Sequence, residues 1–229
     1  MDFTITLSHF CDIHGPRSIL CTSKIPLNND FKTDFIQEEI ISKEDYCKSC
    51  LLIISTNNNN DNDTVKPSTI KTIDQNYIYF TNQYSISKYQ ILNSLIKKTL
   101  SEEITNYNSN DPVYLGDEIR GYSMVYYFKI KDLEARGSNR RYSIIINSSN
   151  EFKILQNYKL IDQYIKTLIS NLKESNIKYE LNKSKNYSNN DLFLRGKKIQ
   201  NSNSLIELLN DKDIFIRIHL WFVKILQKI

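Results

Sequence analysis

Residues 116–147 have the pattern of two β-strands on either side of a basic loop, and this pattern constrains the fold more than any other part of the chain. Apolar side chains alternate with other residues on both sides of the loop, as in strands with one face on a core. Only five glycines occur in 229 residues, and three of them lie here: Gly116, Gly121 and Gly137. Glycine permits unusual backbone angles and close approach to another surface. The loop that holds Arg136 between Ala135 and Gly137 is therefore the first candidate functional site.

Periodic patterns before and after this stretch predict strands and helices in the order ββαβββαα. Strands are indicated by apolar residues at every second position, and helices by apolar residues three and four positions apart. Ser87 is a suitable N-cap for the first helix, because its hydroxyl can accept a backbone hydrogen bond. The predicted elements are strands 3–10 and 17–23, helix 89–100, strands 112–116, 122–130 and 142–146, and helices 154–172 and 214–226. We therefore predict an α+β fold with a five-stranded, mainly antiparallel sheet flanked by helices.

The pattern loosens between about residues 24 and 84, which we interpret as an insertion within one domain. Residues 57–63 contain only asparagine and aspartate, and such a tract cannot bury enough apolar surface to offset its ordering entropy. We predict that it is disordered. Apolar runs at 51–54 and 77–80 flank the tract and are predicted to pair as an accessory ribbon. A second polar connection is predicted at 176–190.

The bulk composition is that of a mildly basic protein with a substantial core. Thirty basic and 26 acidic residues give a net charge of +4, which does not by itself indicate a nucleic-acid partner. The N-terminus lacks the layout of a signal peptide, and charged residues interrupt the most apolar run, 214–229. We expect a cytosolic protein that reaches a membrane only through partners. Four cysteines in such a setting predict reduced thiols without disulfides.

Few residues point to catalysis or cofactor binding by the chain alone. Cys47 and Cys50 have the spacing of half a zinc site, and Cys11 and His14 could in principle supply the other half. No second half is evident from the local pattern, so we expect neither a metal nor a cofactor. The chain has no phosphate-binding loop of the Gly-x-x-x-x-Gly-Lys-Ser/Thr type and no Gly-x-Ser-x-Gly sequence. Neither GTP binding by this chain nor hydrolase chemistry is therefore expected.

Several short sequences stand out along the chain: LSHFCDIHGPR at 7–17, LGDE at 115–118, FKIKD at 128–132, ARG at 135–137 and YSII at 142–145. In this order they resemble the N-terminal longin domain of folliculin, with weaker similarity in LWF at 220–222. The similarity is to the short fungal members of the family, which lack the DENN module of longer folliculins, or else the chain is an excised fragment of a longer member. One departure lies at Arg141, where folliculin has an aromatic residue before its Tyr-Ser pair.

The resemblance implies a single longin domain over 1–229, with a partly disordered insertion at about 24–84. It implies a longin–longin contact with a folliculin-interacting-protein relative, and action on Rag-type GTPases in amino-acid signalling to TOR kinase. The expected location is the cytoplasm, with recruitment to the vacuolar or lysosomal membrane. The family's GTPase-activating arginine lies in its Ala-Arg-Gly motif, which corresponds to Arg136 here. Arg140, Arg141 and Gly137 are predicted to contact the GTPase or the partner.

Simpler interpretations remain open at this stage. An isolated arginine in a turn is most often a solvated charge, and Arg140 with Arg141 could be a solvated strand end. A second functional hypothesis is a non-catalytic longin scaffold or trafficking adaptor that recruits a partner through its sheet edge or helices. A third is a basic surface that docks on anionic lipid.

Overall fold

A computed structural model describes residues 3–27, 47–54, 68–85, 88–101, 111–186 and 203–229. Its strands are β1 (Phe3–Cys11), β2 (Gly15–Pro26), β3 (Ile70–Ile73), β4 (Tyr77–Asn82), β5 (Val113–Asp117), β6 (Gly121–Lys131) and β7 (Asn139–Ser148). Its helices are α1 (Tyr89–Ser101), α2 (Glu151–Gln156), α3 (Tyr158–Asn186), α4 (Leu205–Leu209) and α5 (Ile214–Lys228). The predicted cap at Ser87 and the polar tract 57–63 lie outside the described residues.

All strands belong to one antiparallel sheet in the order β3-β4-β2-β1-β7-β6-β5. The hairpin of β6 and β7 pairs from Tyr122 opposite Ser148 to Lys131 opposite Asn139. The hairpin lies between the central strand β1 and the edge strand β5, so both of its strands are interior strands of the sheet. The α+β class and the antiparallel sheet are confirmed.

Helices cover both faces of the sheet because both faces are apolar. Alternate residues of a strand point to opposite faces. Met124, Tyr126 and Phe128 of β6 join the larger core, which also contains apolar residues of α2, α3, α4 and α5. Val125 and Tyr127 pack with α1 on the opposite face. Within the described ranges, no helix combines the length and apolar content needed to cross a bilayer.

In the part of the chain that the structure describes, the sheet has seven strands, so the prediction of five strands was wrong. Strand β2 runs over twelve residues and extends beyond its predicted end at 23, which leaves an edge for β4 to pair along. Strand β4 also pairs with the four-residue strand β3, not with residues 51–54, which form no strand. The pairing predicted for the accessory ribbon was therefore wrong as well. Helix α3 continues to Asn186, through much of the polar connection predicted at 176–190.

His219 on α5 is a buried ionisable side chain that lies beneath strands β3 and β4. Its Nε2 lies 2.7 Å from the hydroxyl of Thr72 on β3, and its Nδ1 lies 2.7 Å from that of Thr81 on β4. The side chain is fully buried. Because burial disfavours the charged imidazolium, the pKa of His219 is lowered from 6.5 to about 4.

Acid is therefore expected to destabilise the fold through His219. The unfolded chain takes up a proton below pH 6.5, whereas the folded chain resists protonation until about pH 4. The associated stability is complete above pH 6.5 and declines as the pH falls towards 4, by at most about 3 kcal/mol. His219→Gln keeps a donor and an acceptor but cannot titrate. Denaturant unfolding of both proteins at pH 7 and pH 4 should show a stability difference that changes with pH, and a constant difference would contradict the assignment.

Candidate functional site

The loop of residues 132–138 lies at the end of the β6–β7 hairpin and is closed by backbone hydrogen bonds. The N–H of Asp132 donates to the carbonyl of Ser138 at 3.2 Å, directly after the last pair of the two strands. Inside the loop, the N–H of Ala135 donates to the carbonyl of Asp132 at 3.1 Å. Leu133, Glu134 and Gly137 are exposed. The loop is thus a short, internally bonded tip on an interior hairpin of the sheet.

The tip contains a single 3-10 turn, Arg136–Ser138, whose backbone depends on Gly137. Gly137 has a φ of +76°, in the left-handed region that side chains with a Cβ disfavour. The N–H of Ser138 donates to the carbonyl of Ala135 at 2.9 Å across the turn. Arg136 is therefore held on a tight turn between a buried alanine and a conformationally required glycine.

A buried ion pair supports the base of the loop. Nε of Arg140 donates to Oδ2 of Asp132 at 2.5 Å, and each side chain is only 2% exposed. Oδ1 of Asp132 accepts hydrogen bonds from the N–H of Glu134 at 3.0 Å and from the amide of Asn203 at 2.9 Å. Burial alone would lower the pKa of Arg140, but the hydrogen bond and charge of Asp132 outweigh it and raise that pKa. The guanidinium of Arg140 is therefore charged, and its bond to Asp132 connects both ends of the loop.

Asn176 on α3 holds the strand that leads into the loop, a role that we did not predict. Its amide donates to the carbonyl of Lys131 at 3.1 Å, and its side-chain oxygen accepts from the N–H of Lys131 at 3.0 Å. It also donates to the carbonyl of Leu208 at 2.9 Å. Asn176 is 2% exposed and follows Leu172 at helical spacing, so it continues the apolar stripe of α3. A polar residue at a position of this apolar stripe is the sequence signal from which its role could have been predicted.

The structure separates the residues that were predicted as one contact surface. Arg136 and Gly137 lie in the tip. Arg140 is buried below it and has no appreciable surface to offer to a partner. Arg141 points to the other face of β7, as the next residue of a strand must, and its guanidinium lies 4.2 Å from the centre of the Phe10 ring. The aromatic contact at this place thus comes from Phe10 on β1.

A second cluster forms at the turn between β1 and β2. The ligand atoms of Cys11, His14, Cys47 and Cys50 all lie within 4.8 Å of one another. The local pattern left the second half of a zinc site undetermined, and the fold brings the two halves together. All four cysteines of the chain fall in its described part, and none of them forms a disulfide.

Comparison with known proteins identifies the family of this chain. Residues 77–229 match the sequence profile of a family described as "Folliculin: Vesicle coat protein involved in Golgi to plasma membrane transport". The chain is 31% identical to Protein LST7 of Saccharomyces cerevisiae, over 95% of this chain and 92% of that protein. The chain belongs to the folliculin family. The predicted resemblance is therefore confirmed.

Longer folliculins match over a smaller share of their own length. The Folliculin-like protein bhd1 of Schizosaccharomyces pombe is 23% identical over 60% of this chain and 40% of that protein. Human folliculin is 24% identical over 78% of this chain and 36% of that protein. The extent of this folliculin-family chain is thus close to that of the budding-yeast protein, and it spans about two fifths or less of the other two.

Proposed function

We propose that this chain is a longin-type subunit of a GTPase-activating complex that acts on Rag-type GTPases in amino-acid signalling to TOR kinase. The observation that carries the proposal is the Ala135-Arg136-Gly137 tip, on a hairpin braced by the Asp132–Arg140 ion pair. Membership of the folliculin family supports it. Arg136 is the finger that enters the nucleotide site of the GTPase.

The chemistry of GTP hydrolysis explains why such a tip would be useful. Negative charge develops on the transferred phosphoryl group and the leaving oxygen, and a guanidinium supplied from another protein neutralises it. Arginine remains charged and offers a planar fork of donors, which suits phosphate oxygens. A braced loop keeps the finger in position, so that less ordering entropy is lost when it inserts. Gly137 lies in the same turn as Arg136 and would contact the GTPase with it. Arg140 instead positions the loop from below, and Arg141 packs on Phe10 on the other face of β7.

The order of the elements supports a longin-type fold. When the β3–β4 hairpin is set aside as part of the insertion, the remaining order is ββαβββ followed by helices. This is the order that the folliculin resemblance implies. We propose that the chain pairs through a longin–longin contact with a folliculin-interacting-protein relative. The pair would be cytoplasmic and recruited to the vacuolar or lysosomal surface.

Single-turnover GTP hydrolysis tests the proposal. Each subunit of a Rag-type heterodimer is loaded with GTP in turn and mixed with this chain, with the partner protein, or with both. We expect acceleration on one of the two subunits, and only when this chain is present. Binding of the complex to the GTPase pair without acceleration on either subunit would contradict the proposal.

That contrary result would favour a second function, a non-catalytic trafficking adaptor. The description of the matched family, a vesicle coat protein involved in Golgi to plasma membrane transport, favours this alternative. An adaptor would associate with its partner regardless of the bound nucleotide and would leave the rate of hydrolysis unchanged. The same assay, with a pull-down on GTP- and GDP-loaded GTPase, therefore distinguishes the two functions.

A further inference from the structure

The cluster at the β1–β2 turn combines two short segments, each of which carries two ligand groups with two residues between them. Cys11 ends β1, and His14 lies three positions later in the turn that leads to β2. Cys47 and Cys50 belong to one turn, in which the N–H of Cys50 donates to the carbonyl of Cys47 at 3.0 Å. Cys-x-x-Cys and Cys-x-x-His segments of this kind are typical of the two halves of a structural zinc site.

The distances between the ligand atoms agree with a tetrahedral ion. A zinc ion with Zn–S bonds of about 2.3 Å and Zn–N bonds of about 2.0–2.1 Å places its ligand atoms roughly 3.5–3.8 Å apart. Sγ of Cys11 lies 3.5 Å from Sγ of Cys47 and 3.7 Å from Nδ1 of His14. Sγ of Cys50 lies 3.6 Å from both Sγ of Cys47 and Nδ1 of His14. Four of the six ligand pairs thus have the edge length of such a tetrahedron.

Groups that can donate hydrogen bonds surround the sulfur atoms, as is usual around zinc-bound thiolates. The N–H of Ile13 donates to Sγ of Cys11 at 3.4 Å. The hydroxyl of Ser49 lies 3.0 Å from Sγ of Cys47, and Nε2 of His9 lies 3.4 Å from Sγ of Cys50. Donors in this second layer orient the ligands and offset the negative charge of three thiolates around a divalent cation.

We propose that Cys11, His14, Cys47 and Cys50 bind one Zn²⁺ ion in a closed, structural site. Three thiolates and one imidazole are the soft ligand set that selects zinc over hard cations such as Mg²⁺ or Ca²⁺. The set supplies all four positions of a tetrahedron, so no position is left for a substrate or a reactive water. Zinc displaces the three thiol protons as it binds, so the affinity rises with pH.

The site would fasten residues 47–54 to the central sheet. Thirty-two residues separate His14 from Cys47 in the sequence, and a metal bond across such a span restricts the unfolded chain. The amide of Gln83 donates to the carbonyl of Cys50 at 3.1 Å, and Leu52 is buried in the larger core. The ion would thus hold the turn of Cys47 and Cys50, within the insertion, beside the end of β1. This role is independent of Arg136.

Metal analysis of the full chain tests the proposal. The chain is purified under reducing conditions without chelator and its metal content is measured by mass spectrometry. We expect close to one Zn²⁺ per chain. Replacement of the ion by Co²⁺ should give the intense absorption of a tetrahedral site with thiolate ligands. Removal of the ion by a chelator should lower the melting temperature by about 4 °C or more, and added Zn²⁺ should restore it.

Matched variants distinguish zinc bound by this cluster from zinc bound nonspecifically by cysteine thiols. Cys47→Ala with Cys50→Ala should lose the zinc and the cobalt spectrum. Cys21→Ala should keep both, because Cys21 is a buried thiol that lies outside the cluster and contacts the hydroxyl of Thr6. If the double variant does not fold, the cobalt spectrum of the wild-type chain tests the proposal in its place. A wild-type chain without bound zinc and without a tetrahedral cobalt spectrum, or equal zinc in the double variant, would overturn the proposal.

Discussion

Arg136→Ala is expected to lower the stimulated rate of GTP hydrolysis by about 10³- to 10⁵-fold, which is the contribution of an arginine finger in known GTPases. The loss falls on the chemical step, because the guanidinium interacts with charge that develops only in the transition state. Assembly with the partner protein should be unchanged, since Arg136 lies in the loop and not in an element of the core. The measurement is single-turnover hydrolysis at saturating complex, with assembly monitored by size-exclusion chromatography.

Two further variants make the Arg136 result specific. Arg136→Lys keeps the charge but loses the planar fork, so most of the acceleration should still be lost. Lys97→Ala removes one positive charge from the exposed side of α1 and should hydrolyse GTP like the wild type. Wild-type acceleration by the Arg136→Ala complex would assign the catalytic role elsewhere. An equal loss in the Lys97 variant would indicate a general effect of charge on association.

The hairpin was predictable because its signal is local. The apolar signal along β6 and β7 is strong, since Met124 and Val125 each face a core, on opposite sides of the sheet. Strand β3 gave little signal, because it has four residues and only two of them, Ile70 and Ile73, are apolar. Its place in the sheet depends on the free edge that β2 offers to β4, which is a long-range property.

The support of the candidate site was not predictable from local patterns. Asn203 reaches Asp132 across 71 residues of sequence, and Asn176 reaches Lys131 across 45. Such polar contacts carry no periodicity of their own. The two halves of the zinc cluster were visible separately as Cys-x-x-His and Cys-x-x-Cys. Whether these two halves lie close together depends on the tertiary fold, which a local sequence pattern does not contain.

Asp132→Ala is expected to lower the free energy of unfolding by about 3–5 kcal/mol, because it leaves the buried guanidinium of Arg140 without its counter-charge. The large cost comes from that uncompensated charge and not from the net value of the pair. The double variant Asp132→Ala with Arg140→Met removes both charges and should therefore be more stable than Asp132→Ala alone. Lys166→Ala, which breaks a more exposed pair with Asp162, should cost at most about 1 kcal/mol.

Denaturant unfolding of the wild type, Asp132→Ala, the double variant and Lys166→Ala measures these differences. The double variant also tests whether the ion pair contributes to GTP hydrolysis. Its core contains no unpaired charge, yet its loop has lost the link between Asp132 and Arg140 at the two ends of the tip. If that link positions Arg136, the stable double variant should assemble normally and still hydrolyse GTP more slowly than wild type. Wild-type hydrolysis by the double variant would show that the backbone bonds and Asn176 suffice to hold the finger. An unfolding free energy of Asp132→Ala equal to that of Lys166→Ala would show that the ion pair is not buried as described.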